Sequence, residues 1–152
     1  MTDRRFSVYV AASSSEMERA RAVFSAVKAD ATLSLALDWI AQIESVGVAN
    51  AGISIDDGAR YAEPSVRAVK ECDALVFLIP AKGGSRGAWF ELGIAVACGK
   101  PIVVVGDPVP VSIFASYAAK HGAHVETDEQ AIREVRRMAD WGALYGARRA
   151  LT

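Results

Sequence analysis

Residues 73–105 read DALVFLIPAKGGSRGAWFELGIAVACGKPIVVV. Asp73 to Pro80 is a nearly continuous apolar run, as a parallel strand buried on both faces requires. Lys82 to Gly87 is a glycine-rich loop, and Ala88 to Cys98 carries a helical pattern stopped by Gly99. Pro101 to Val105 is a second buried strand, ended by Gly106-Asp107-Pro108. Two fully apolar strands joined by one helix form a parallel unit with a right-handed crossover.

The same alternation extends in both directions. Upstream, Phe6 to Ala12 is an apolar run that ends in Ser13-Ser14-Ser15, with Glu16 at the capping-box spacing from Ser13. A helix to about Ala29 follows, with Met17, Ala20, Val23, Phe24 and Val27 on one face. Leu33 to Leu37 is the second strand and runs into Asp38-Trp39. From Ile40 to Arg60 the pattern weakens to loop or short helix, and Pro64 suits the first turn of a helix reaching Glu71. Downstream, a helical turn near Ile113 to Ala119 precedes a weaker strand at about Ala123 to Glu126. Thr127 and Asp128 cap a last helix whose apolar face is Ala131, Ile132, Val135 and Met138. The tail, about 142–152, is apolar enough to dock on the domain or on a neighbouring subunit. The expectation is one α/β domain over 1–152: a flavodoxin-like or Rossmann-like, doubly wound, five-stranded parallel sheet in three layers. Ligands of such folds sit beyond the carboxyl ends of the strands, near the switch in strand order. That rule collects Ser13 to Ser15, Asp38-Trp39, Ala81 to Gly87 and Gly106-Asp107.

Composition narrows the function classes. Of 152 residues, 52% are hydrophobic, which is ample for a core. Lys plus Arg number 17 against 18 acids, so the surface lacks the basic excess of a nucleic-acid-coating protein. No apolar run reaches the roughly 18 residues of a membrane span. Met1 to Arg5 leads into the first strand without a signal-peptide pattern, so a cytoplasmic location is expected. Cys72 and Cys98 read as two buried thiols, and His121 and His124 have no acid or cysteine at metal spacing; neither a metal nor an organic cofactor is expected.

Chemistry concentrates at Glu91, a carboxylate early in the helix after the glycine loop. One reading is a first-turn acid stabilised by the helix dipole. The other is a carboxylate lining the strand-end cleft, placed to attack or stabilise a cationic sugar carbon. The glycines favour a ligand, because they let it approach the backbone and leave N–H groups free for an anion.

The passage GGSRGAWFELGIAVACGKPIVVV (83–105) resembles the signature of the nucleoside 2-deoxyribosyltransferase superfamily, which includes deoxynucleoside 5′-monophosphate N-glycosidases. VYVAASSS (8–15) and CDALVFLIP (72–80) resemble that family's first strand and the strand before its catalytic loop. The resemblance implies an enzyme that cleaves or transfers an N-glycosidic bond of a nucleoside or nucleotide. Glu91 then matches the nucleophile, and Tyr9 the tyrosine beside it, although Tyr9 also reads as an ordinary strand aromatic. Ser85 stands where the monophosphate hydrolases carry a phosphate-holding serine. Ser13, Ser14, Gly84, Arg86 and Gly87 would complete the holder of the sugar's 5′ end. Asp38 and Trp39 could meet the base by hydrogen bond and stacking, or Trp39 could roof the core; both readings stay open. The chain departs from the family at Ser65, eight residues before Asp73, where an aspartate is usual; Asp56, Asp57 or Glu63 could substitute. The resemblance further implies a homo-oligomer acting on a small nucleoside or nucleotide, with no nucleic-acid polymer or membrane as partner. SRGAWFELG is also similar to the catalytic neighbourhood of TIR-type NAD glycohydrolase domains. A third class, a non-catalytic nucleotide-sensing domain, would keep the loop and lose the base-positioning acid.

Overall fold

The computed structural model describes residues 4–46, 53–81 and 85–149, with side chains described to 143. Five strands form one parallel sheet: β1 (Phe6–Ala11), β2 (Leu33–Leu35), β3 (Ala74–Leu78), β4 (Ile102–Val105) and β5 (Ala123–Val125). Their order is β2-β1-β3-β4-β5, so the chain reverses direction across the sheet between β1 and β3. β1 and β3 are in register from Val8 opposite Ala74 to Ala11 opposite Phe77. Every residue of β3 and β4 is buried, as the apolar runs predict, because helices cover both faces.

The helices are α1 (Met17–Ala29), α2 (Trp39–Val46), α3 (Ile55–Glu71), α4 (Arg86–Ala97), α5 (Ile113–His121) and α6 (Asp128–Arg149). α1 and α6 touch each other on one face, and α3 and α4 touch each other on the opposite face. The expected doubly wound, three-layer sheet is therefore present. α4 rests on the sheet through Ala88, Leu92 and Ala95, all buried, and it contacts both β1 and β3. Trp89 leans on Phe77 of β3, with ring centroids 4.8 Å apart.

Several boundaries differ from the sequence reading. β2 is three residues long and stops at Leu35; Asp38 instead caps α2, its Oδ1 accepting the Ala41 N–H at 3.0 Å. α3 begins at Ile55, well before Pro64, because Ser54 caps it by accepting the Asp57 N–H at 3.1 Å. The acids Asp56 and Asp57 then favour the helix N-terminus, and Pro64 lies inside the helix. α4 begins at Arg86 rather than Ala88, with Ser85 as cap. α6 continues through the segment read as a tail, as far as Arg149. Between β1 and α1, Ser13 caps a 3-10 turn (Ser14–Glu16) by accepting the Ser15 N–H; no capping box forms, because the Glu16 carboxylate accepts the Ala81 N–H instead. Cys72 is buried as expected, whereas Cys98, on the outer side of the α4 terminus, is exposed. Among the described residues no helix is long and apolar enough to cross a membrane.

Candidate active site

Tyr9 is the fourth residue of β1, on the strand beside the reversal of chain direction, and is 0% exposed. Glu91 projects from the second turn of α4, one turn along from Ala88, which packs against the sheet. The Tyr9 hydroxyl donates to Glu91 Oε1 at 2.7 Å. These two side chains come from positions 82 residues apart. Because α4 starts earlier than expected, Glu91 is not a first-turn acid, and the helix-dipole account does not explain it.

The environment is unusual for a carboxylate. Glu91 is half-buried, and among the described residues it has no ion pair and its Oε2 accepts no hydrogen bond. Burial disfavours its charge and pushes its pKa up to about 7, against a smaller lowering by the Tyr9 hydrogen bond. Tyr9 is pushed well above the ordinary phenol range, first by burial and then by the negative charge of Glu91. Ser65, on α3, lies near enough to the Tyr9 hydroxyl to oppose that rise in part. The residue that departs from the family pattern thus stands beside the Tyr9–Glu91 pair.

The remaining predicted site residues fall into three groups. Ser13 and Ser14 follow β1, and Ser85, Arg86 and Gly87 follow β3, so both sets lie at the carboxyl edge of paired strands. Ser85 Oγ accepts the Ala88 N–H at 3.3 Å, and Arg86 is exposed with no ion pair among the described residues. Ser13 is nearly buried and shares a 2.7 Å hydrogen bond with the Ser15 hydroxyl. A Cβ on Gly87 would meet nothing within 4 Å, so the backbone there faces open space. Gly84 lies outside the described residues. Asp38 and Trp39 are turned elsewhere. Trp39 is 7% exposed, donates its indole N–H to the Val10 carbonyl at 2.8 Å and packs edge-on against Phe24. Asp38 accepts from Lys28 as well as capping α2. The core-roofing reading of Trp39 therefore describes its place.

One arrangement escaped the sequence reading. Arg19 of α1 donates to both carboxylate oxygens of Asp128 and, at 3.0 Å, to the Ile79 carbonyl. With Glu16 holding the Ala81 N–H at 3.1 Å, two side chains from the opposite face pin the exit of β3, where the glycine loop begins. Asp128 reads from sequence only as a helix cap, and no spacing rule connects it to Arg19. A separate groove of about 540 Å³, lined by His124, Glu126, Arg133 and Arg137 among others, lies at the β5 edge, three strands from Tyr9.

No family model and no curated protein sequence matches the chain. Solved structures do. A conserved protein from Enterococcus faecalis V583 aligns with a TM-score of 0.66 at 18% identity, over 89% of this chain and 99% of that one. The CMP N-glycosidase BcmB of Clostridium botulinum aligns with a TM-score of 0.54 at 17% identity, over 86% and 98%. A 2-deoxyribosyltransferase from Bacillus psychrosaccharolyticus aligns with a TM-score of 0.56 at 16% identity, over 83% and 90%. At these identities the likeness shows a shared fold, and it spans nearly the whole of each relative.

Proposed function

We propose that this chain belongs to the nucleoside 2-deoxyribosyltransferase superfamily and is an enzyme that cleaves or transfers the N-glycosidic bond of a nucleoside or nucleoside 5′-monophosphate, with Glu91 as nucleophile. One observation carries the reading: a half-buried carboxylate, held by one tyrosine at 2.7 Å and without a partner at its other oxygen among the described residues, at the switch point of the sheet. A carboxylate oxygen of Glu91 bonds to the anomeric carbon while the C1′–N bond breaks and its electron pair leaves with the base. The ester so formed is uncharged. The burial that disfavours the carboxylate therefore favours the covalent intermediate, while the Tyr9 hydrogen bond fixes the approach of the attacking group. Water or a second base then takes the sugar.

Tyr9 is the positioning partner, and Ser13, Ser14, Gly84, Ser85, Arg86 and Gly87 hold the sugar's 5′ end. Exposed Arg86 and the open backbone at Gly87 support that assignment, since both present donors to an anion at the start of α4. Asp38 and Trp39 are omitted on account of their partners. A second copy of the chain covers the outer face of α4: after Arg86 the helix carries no charge except Glu91, and Phe90 is 62% exposed beside exposed Gly93 and Ala97. A helix that is apolar all round is normally buried.

The test is release of free base from a panel of deoxynucleotides, ribonucleotides, nucleosides and NAD, with Glu91→Gln alongside. Wild type releases base from at least one member, and the variant is slower by orders of magnitude. Equal rates in the two proteins remove the nucleophile, and tight binding without turnover in both would make the chain a sensing domain.

A further inference from the structure

Resting on that reading, we infer that the Tyr9–Glu91 site serves N-glycosides whose base leaves without receiving a proton: cationic nucleotides with a pyridinium or an N7-alkylated purine as leaving group. Breaking the C1′–N bond of a neutral nucleoside puts an electron pair on a ring nitrogen, and the resulting anion departs slowly unless an acid protonates it. Glycosidases accordingly pair their nucleophile with a second carboxyl group. Among the described residues no acid other than Glu91 hydrogen-bonds to Tyr9. The α3 residue beside the Tyr9 hydroxyl is Ser65, an alcohol of negligible acidity. The Tyr9 proton is directed at Glu91, and burial beside that charge makes the phenol a poorer acid than usual.

The acids nearest in sequence to the strand ends are engaged or placed elsewhere. Glu16 holds the Ala81 N–H, Asp38 pairs with Lys28, Asp107 accepts the Val109 N–H, Asp128 pairs with Arg19, and Glu126 lines the groove at the β5 edge. Asp57 accepts from the Ser54 hydroxyl and pairs with Arg60, Glu63 pairs with Arg67, and Asp56 lies nine positions from Ser65, on the opposite face of a helix with about 3.6 residues per turn. Segments 47–52 and 82–84 contain neither Asp nor Glu.

A cationic base removes the need for an acid. As Glu91 bonds to C1′, the pair from the C1′–N bond passes to the ring nitrogen, cancels the positive charge, and the base departs neutral. Water then adds its oxygen at C1′, the ester opens, Glu91 is again a carboxylate, and the proton from water goes to solvent.

The decisive measurement compares matched substrates: 7-methylguanosine 5′-monophosphate against guanosine 5′-monophosphate, each in ribo and 2′-deoxyribo form, with nicotinamide mononucleotide as the pyridinium arm. Wild type cleaves at least one cationic member with kcat/KM about 10³-fold above the neutral guanosine partner, the factor a missing general acid leaves uncompensated. The two cationic arms tell whether the base is a pyridinium or an alkylated purine. Ser65→Asp, which supplies a carboxyl at that position, narrows the ratio at least tenfold by raising the neutral rate; Ser65→Asn, of equal size and folded by its melting curve, leaves the ratio unchanged. Glu91-dependent cleavage of the neutral partner within tenfold of the cationic one overturns this inference while the nucleophile stands. No cleavage of any panel member, or cleavage that Glu91→Gln leaves intact, overturns both.

Discussion

Replacing Glu91 with Gln should make the protein more stable as well as inactive, and the gain should depend on pH. A carboxyl whose pKa is about 7 when folded and 4.5 otherwise binds its proton more tightly in the native state. Between those values the native state holds more protons than the unfolded chain, so stability falls as pH rises through this window. The contribution is complete below about pH 4.5 and gone above about pH 7. At about 1.4 kcal/mol per pKa unit, ionised Glu91 costs the native state about 3 kcal/mol at pH 8 and under about 1 kcal/mol at pH 5. Gln keeps the shape and can accept the Tyr9 proton, but it never ionises. Urea unfolding of both proteins at pH 5 and pH 8 isolates the effect, because every other titrating group is common to the pair. The expected result is a variant stabilised by about 2–3 kcal/mol more at pH 8 than at pH 5, or about 5–10 °C in Tm for a domain of this size. A constant difference across that range would refute the buried, unpaired state of this side chain, whatever the enzymology shows.

Four further outcomes are expected. Tyr9→Phe removes the one group that lowers the pKa of Glu91, so kcat/KM should fall roughly ten- to a hundredfold at pH 7 and recover partly by pH 9; an unshifted pH–rate profile would disprove the coupling. Trp39→Ala should cost about 3–5 kcal/mol in urea unfolding, as loss of a core aromatic does, and should leave relative rates between bases unchanged. Gly122→Ala would place a Cβ 2.3 Å from the Ile102 carbonyl oxygen and 3.0 Å from that of Ala118, so a loss of more than about 2 kcal/mol is expected, measured by thermal melting. Phe90→Glu should yield monomers in sedimentation at micromolar concentrations where wild type is dimeric or larger; a monomeric wild type removes the proposed partner from the α4 face.

The central part of the architecture was readable because its signals are local and strong. β3 and β4 are uninterrupted apolar runs, and the helix between them is bounded by glycine on both sides. The α3 start was hidden because Ile55-Asp56-Asp57-Gly58 has weak helical character taken alone; in the structure Ser54 caps it by accepting the Asp57 N–H. The resemblance named Tyr9 and Glu91 together, and in the structure a 2.7 Å hydrogen bond joins their side chains. Trp39 could not be assigned from its neighbours in the chain, since its partners Val10 and Phe24 are brought to it by tertiary packing. The same holds for Arg19 and Asp128, whose positions are 109 apart.

The two alanines beneath α4 set the distance on which the chemistry depends. Ala88 and Ala95 let the helix lie close over the sheet, near enough for a side chain rooted in one layer to grip a side chain rooted in the other. Any bulkier residue at either place would act as a shim, lifting the helix by a fraction of an ångström. Such a chain would still melt cooperatively and scatter as a folded domain, yet its carboxylate would have lost the phenol. In this scaffold, tolerance of fold and tolerance of activity part company at the smallest residues of the interior.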